Sequence, residues 1–201
     1  MGLAVVSGVP AVGSSRETEG AVASLDERYE LINFGDVMLE EALGSGHDVS
    51  SRDDLARLSP RATRRLQRRA AEYVGTLADD PETYVVLNTH LVVSTADGFL
   101  PGLPPEVRTE LDPDAYVLVE ADPDLVQDRR AGDDYRSYPV GDRLGIEFQQ
   151  SMSRTAAFAY ATSSNVPIGL VENTDDVESA AVRLSREVQK AARRTETSTD
   201  S

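Results

Sequence analysis

Apolar residues fall along this chain in short runs separated by longer stretches of mixed polarity. The runs Leu3–Val6, Tyr29–Phe34, Tyr84–Asn88, Ala115–Glu120 and Val166–Glu172 have the character of strands buried on both faces. Between them the pattern turns helical. Ser59 followed by Pro60 marks a helix start, a capping residue ahead of proline at the first helical position. From there Leu66, Ala70, Val74 and Leu77 repeat along one helical face. Further helical patterns run from about Gly145 to Ser163 and from Asp175 to Arg194. Strands alternating with helices predict an α/β fold in which crossover helices cover a parallel sheet. The stretch Ala131 to Asp142 is polar, with Gly132 and Gly141 near its ends, and reads as a mobile loop or small lid. The expected organisation is a single domain over 1–193 with a disordered tail over 194–201.

At 201 residues, 40% of them hydrophobic, the chain can build one sizeable core and is neither a disordered tail nor a membrane protein. No apolar run approaches the roughly 20 residues that a spanning helix needs. The first residues lack the basic region of a signal peptide, so the expected location is cytoplasmic. Cysteine is absent, which excludes disulfides and thiolate metal sites. Charge changes the picture more. Acidic residues number 35 against 20 basic ones, a formal charge of −15, and Lys190 is the sole lysine. That balance disfavours nucleic acid as a partner, because neutralising phosphates takes clustered cations. It fits a protein from a salt-rich cytoplasm, or an acidic protein from a genome that favours arginine over lysine. Arg61, Arg64, Arg65, Arg68 and Arg69 lie mostly off the apolar face of their helix and read as a solvated surface.

Residues Gly8 to Ser15 read GVPAVGSS, after the first strand and ahead of a helical segment. A phosphate-binding P-loop places two glycines five apart, then lysine, then serine or threonine. Gly8, Gly13 and Ser15 fit this pattern, and Ser14 stands where the lysine belongs. The backbone N–H groups of Gly8, Val9, Pro10-Ala11, Val12, Gly13, Ser14 and Ser15 (proline excepted) could cradle phosphate without that side chain. Ser15 could ligate Mg²⁺. Alternatively, Ser14 and Glu17 form a capping box, and the glycines only punctuate a turn.

The segments INFGDVM (Ile32–Met38), NTH (Asn88–His90), STADGFLPGLP (Ser94–Pro104) and VEADPD (Val119–Asp124) resemble the archaeal-type adenylate kinases. So do the Arg129–Arg136 stretch, SRTAAFAY (Ser153–Tyr160) and VEN (Val171–Asn173), in the same order along nearly the whole chain. The resemblance implies a three-layer P-loop fold with a five-stranded parallel sheet, a small lid, and the reaction ATP + AMP to two ADP. It implies that Gly8 to Ser15 hold the ATP phosphates, with Mg²⁺ at Ser15. Asn33, Phe34, Gly35 and Asp36, with Thr89, His90, Gly102, Leu103 and Pro104, would line the AMP side. Arg129, Arg136 and Arg154 would serve the transferred phosphoryl group. A homo-oligomer, a trimer, is implied as well. On its residue type alone His90 is as readily a packed, hydrogen-bonded histidine.

The chain departs from that family pattern at several places. Asn88 replaces an aspartate, Tyr138 a second lid arginine, Ala56 an arginine, Ser153 an asparagine and Ala11 a loop glycine. These leave two alternatives beside a working adenylate kinase: a nucleotide-binding relative that transfers phosphate poorly, and a kinase for another nucleoside monophosphate or small acceptor.

Overall fold

The first apolar run becomes strand β1 (Gly2–Gly8), in a computed structural model that describes residues 2–95, 98–133, 138, 141–174 and 177–199. It pairs in parallel with β3 (Tyr84–Thr89) on one side and β6 (Ala115–Glu120) on the other. Outside these lie β2 (Tyr29–Asn33) and β7 (Ile168–Glu172), giving a five-stranded parallel sheet in the order β2-β3-β1-β6-β7. Each strand expected from its apolar run is present.

Successive side chains of a strand point to opposite faces, so β1 feeds two cores. Leu3 and Val5 pack with Val85, Leu87, Tyr116 and Leu118 under helices α2 (Phe34–Gly44), α3 (Pro60–Ala78), α4 (Pro105–Leu111) and α6 (Arg143–Ser164). Ala4 and Val6 join Val86, Val117 and Val119 on the other face, under α1 (Ser14–Ala23), α5 (Pro123–Ala131) and α7 (Val177–Thr199). All four of these β1 residues are at 0% exposure, which is why the run carries no polar alternation.

Helix α3 starts as expected, with the Ser59 hydroxyl accepting from Ala62 N–H at 3.3 Å and Pro60 in the first turn. Leu66, Ala70 and Val74 are buried, while its arginines are exposed, two of them in ion pairs, Arg68 with Glu72 and Arg69 with Glu41. That is a solvated face.

Some features were not legible beforehand. Phe34 was expected to close β2, but the Asn33 side chain accepts from Gly35 N–H at 3.1 Å and turns the chain into α2. A short antiparallel hairpin, β4 (Val92–Thr95) with β5 (Gly98–Pro101), follows β3. The tail expected to be disordered from 194 is instead the last part of α7, which continues through Thr199. Three contacts account for this: Ala191 and Ala192 are buried in the core, Thr195 hydrogen-bonds the Asp114 carboxyl, and Arg28 pairs with Glu196 at 2.6 Å. On the same helix Lys190 pairs with Glu187 at 2.6 Å, beside the N-terminal ends of β6 and β7. Among the described residues no helix is long and apolar enough to cross a membrane.

Candidate active site

A parallel sheet creates a crevice where strand order reverses, because the chains leaving two neighbouring strands run to opposite faces. Here the reversal falls at β1, flanked by β3 and β6, and the segment Gly8–Ser15 crosses it. The loop is tightly seated. Val9 and Val12 are buried, and a Cβ at Gly8 would lie 2.8 Å from the Val119 carbonyl oxygen. Val12 N–H closes an internal turn onto the Val9 carbonyl at 3.1 Å. Ala11 (φ 67°) and Gly13 (φ 101°) adopt left-handed backbone, the former where the family pattern has glycine. Gly13 caps α1, which begins at Ser14.

Side chains from three directions grip the loop from behind. The Gly8 carbonyl lies 2.7 Å from His90 Nδ1, which follows β3. A carbonyl only accepts, so that nitrogen carries the proton. The Pro10 carbonyl accepts from Arg130 Nε at 3.1 Å and Nη2 at 2.8 Å. The Val12 carbonyl accepts from Arg129 Nη1 and from Asn173 Nδ2, each at 2.7 Å. Arg129 and Arg130 come from the last turn of α5, and Asn173 follows β7. Arg130 also reaches Gln149 Oε1 at 3.1 Å, and the Tyr138 ring packs 5.2 Å from its guanidinium. Tyr138 thus packs on a loop-holding arginine where the family pattern has a lid arginine.

Glu17 does not form the capping box that its spacing from Ser14 allowed. Its carboxylate is buried and accepts from Asn173 Nδ2 at 2.7 Å. Burial pushes its carboxyl above the ordinary range, against the opposing pull of its own N–H, Arg129, Arg16 and Asn173. Ser15, one residue into the helix, has its hydroxyl 3.1 Å from Asn88 Nδ2, which donates to it.

The residues assigned by resemblance to the acceptor side fall into groups. Asn33 caps α2, and Asp36 in its first turn pairs with Arg52 at 3.2 Å. Gly35 backs onto the Arg52 side chain, where a Cβ would lie 3.0 Å from Cδ. Phe34 and Leu103 are buried in the core and shape the surface from beneath. Thr89 ends β3, and Pro104 precedes α4. Gly102 donates its N–H to the Leu91 carbonyl at 2.8 Å, and a Cβ there would sit 1.7 Å from the His90 oxygen, so only glycine fits. Arg154 is not on the loop. It forms a two-pronged pair with Glu120 at the end of β6, both bonds 2.7 Å. Arg136 and half of the expected lid, 134–137 and 139–140, lie outside the described residues. Sequence reasoning missed Arg130, Asn173 and Glu17 as parts of this assembly, although the paired arginines and the VEN strand end pointed to the first two.

A glycine-bearing loop over the switch point of a parallel sheet, opening a helix, defines a P-loop kinase fold. Solved structures share it: a shikimate kinase from Bacteroides thetaiotaomicron (TM-score 0.55, 13% identity, 93% of this chain and 98% of the other) and a gluconokinase from Sinorhizobium meliloti 1021 (TM-score 0.51, 13%, 98% and 97%). Residues 7–143 match the family described as AAA domain. The adenylate kinase of Methanopyrus kandleri is 42% identical over 180 residues, covering 89% of this chain and 93% of the relative. That of Methanothermobacter thermautotrophicus is 38% identical over 188 residues, covering 94% and 99%, and that of Pyrococcus furiosus 37% over 172, covering 86% of each. The chain belongs to the adenylate kinase family.

The buried Glu17 carboxyl gives a pH-dependent cost. A carboxyl whose folded pKa is raised binds more protons in the native state, so stability falls as pH rises from the unfolded to the folded pKa. Glu17→Gln keeps the acceptor for Asn173 and removes the charge. Urea midpoints for the variant should exceed those of the parent at about pH 8, and the gap should close towards about pH 4. A gap that stays constant with pH would remove Glu17 as its source.

Proposed function

We propose that this chain catalyses reversible phosphoryl transfer from ATP to AMP, giving two ADP. The observation that carries this reading is the match to adenylate kinases at 37–42% identity over most of both chains. An oxygen of the AMP phosphate attacks the γ-phosphorus, and the bond from that phosphorus to the β–γ bridging oxygen breaks, leaving ADP on both sides. Such transfer needs positioning and charge neutralisation more than covalent chemistry. Gly8 to Ser15 hold the ATP phosphates on backbone N–H groups, so the serine at 14 costs one charged contact and not the site. Arg129, beside the loop, and Arg154, paired with Glu120 at the end of β6, supply positive charge, and Arg136 joins them by resemblance alone. Asn33, Phe34, Gly35, Asp36, Thr89, His90, Gly102, Leu103 and Pro104 form the acceptor side. His90 serves there as a structural residue, its Nδ1 being committed to Gly8.

Magnesium carried in with ATP fits the donors present. The Ser15 hydroxyl keeps a lone pair after accepting from Asn88, and among the described residues no cluster of carboxylates and histidines competes for the ion. Bound there, it would neutralise charge on the β- and γ-phosphates. An amide at 88 orients a bound ion less well than a carboxylate, which favours a second reading: a chain that binds nucleotide and turns it over slowly. Asn88→Asp should lower the Mg²⁺ concentration for half-maximal rate about tenfold. An unchanged Mg²⁺ dependence would place residue 88 outside the ion's surroundings.

The direct test is ADP production from ATP with AMP, CMP, UMP or GMP, run from about 0.1 to 3 M KCl. AMP should be preferred, and the rate should rise with salt. With a formal charge of −15, self-repulsion opposes compaction, and the screening length falls from about 10 Å at 0.1 M to about 3 Å at 1 M. A flat salt profile would discard adaptation to a salt-rich cytoplasm; binding of ATP and AMP without turnover at any salt would favour the second reading.

The chain also assembles as a homo-oligomer in this proposal. Leu170 on edge strand β7 and Phe158 on α6 are 62% and 68% exposed, an apolar margin that a second copy could cover. Light scattering should give a multiple of the 21.7 kDa chain mass. A monomer at all salt concentrations would overturn this.

A further inference from the structure

We infer that Arg130 and Asn173 are positioning residues that aim the amides of Ala11 and Gly13 into the crevice, with Glu17 fixing the orientation of Asn173. The inference rests on the reading of Gly8–Ser15 as the phosphate site. A trans peptide is planar, with its C=O and the following N–H on opposite sides, and the described residues contain no cis peptide. Holding the Pro10 carbonyl inward therefore turns the Ala11 N–H outward, and holding the Val12 carbonyl does the same for Gly13. The two carbonyls so held are those gripped by Arg130 and by Asn173 with Arg129. The N–H groups of Ala11, Gly13, Ser14 and Ser15 donate to no protein group among the described residues.

Glu17 explains why Asn173 faces the right way. Both amide hydrogens of Asn173 are used, one on Val12 and one on Glu17 Oε1, while its Oδ1 has no partner. Flipped, that oxygen would face a carbonyl and a carboxylate, two acceptors. The carboxylate thus selects the orientation that pins Val12. Asn173 is at 1% exposure and Arg130 at 6%, so neither grip is diluted by solvent. An anion-binding loop normally draws part of its hold from a lysine; here a backbone fixed in advance takes up that share.

The test is a ¹⁵N–¹H titration of the full chain with inorganic pyrophosphate, following Ala11 and Gly13. Both amide protons should move downfield in the parent. In Asn173→Leu the Gly13 response should weaken, since Arg129 still holds the Val12 carbonyl, with that of Ala11 kept; in Arg130→Leu the Ala11 response should be lost and that of Gly13 kept. The KM for ATP should rise about tenfold in each, with that for AMP within about twofold. If Arg130→Leu does not fold, the Asn173 arm decides alone, with Asn173→Asp, which replaces the donor by an acceptor, as its second variant. Folded variants whose two amides respond as in the parent overturn the inference and leave the phosphate site standing. A parent whose loop amides do not respond overturns the phosphate site and the inference with it.

Discussion

The site depends on one constraint: β1 is hydrogen-bonded along both edges and buried on both faces. A strand with no free edge can leave the sheet only at its end, and Gly8 is where the register with Val119 stops. The chain must then turn within the gap between whatever follows β3 and β6. Every group that grips the loop arrives from the same end of the sheet: His90 just past β3, Arg129 and Arg130 from the helix after β6, and Asn173 just past β7. Strand pairing therefore does more than close the core. It sets the distances among residues more than a hundred positions apart, such as Val12 and Asn173.

The two ends of the sheet are built differently as a result. Buried polar side chains gather at the loop end, among them Ser7, Glu17, Asn88, Arg130, Gln149, Gln150 and Asn173. Most are satisfied by backbone: Gln150 brackets both the N–H and the carbonyl of Ala121, and Ser7 accepts from Leu91 N–H. Yet Glu17 Oε2, Gln149 Nε2 and Asn173 Oδ1 have no partner among the described residues. Unpartnered buried polar atoms are costly, and they are not confined to the loop end, since Tyr116 Oη and Arg108 Nε also lack a partner among the described residues. The left-handed backbone at Ala11 belongs to the same account.

The strands were legible because burial on both faces leaves an unbroken apolar run, as in Leu3 to Val6. Helix α3 was legible because Ser59 and Pro60 carry its start in their own chemistry. The hairpin β4–β5 was not, since strands of four residues with exposed sides leave little periodic signal. The loop could be recognised from Gly8, Gly13 and Ser15, which are local. Its supports could not, because no spacing along the chain shows that residue 173 returns to residue 12. Glu17 meets the same limit: its spacing from Ser14 allowed a capping box as an alternative, and a distant asparagine took the carboxylate instead. The final turns of α7 were hidden by a polar composition whose packing partners, Asp114 and Arg28, lie far upstream.

The pairing of Lys190 with Glu187 has a practical side. With a single lysine in 201 residues, amine-directed chemistry has one side-chain target, set on α7 beside the starts of β6 and β7. That place is at the opposite end of the sheet from the phosphate loop. A dye or tether attached there would report on the molecule, or hold it to a surface, with the crevice left open.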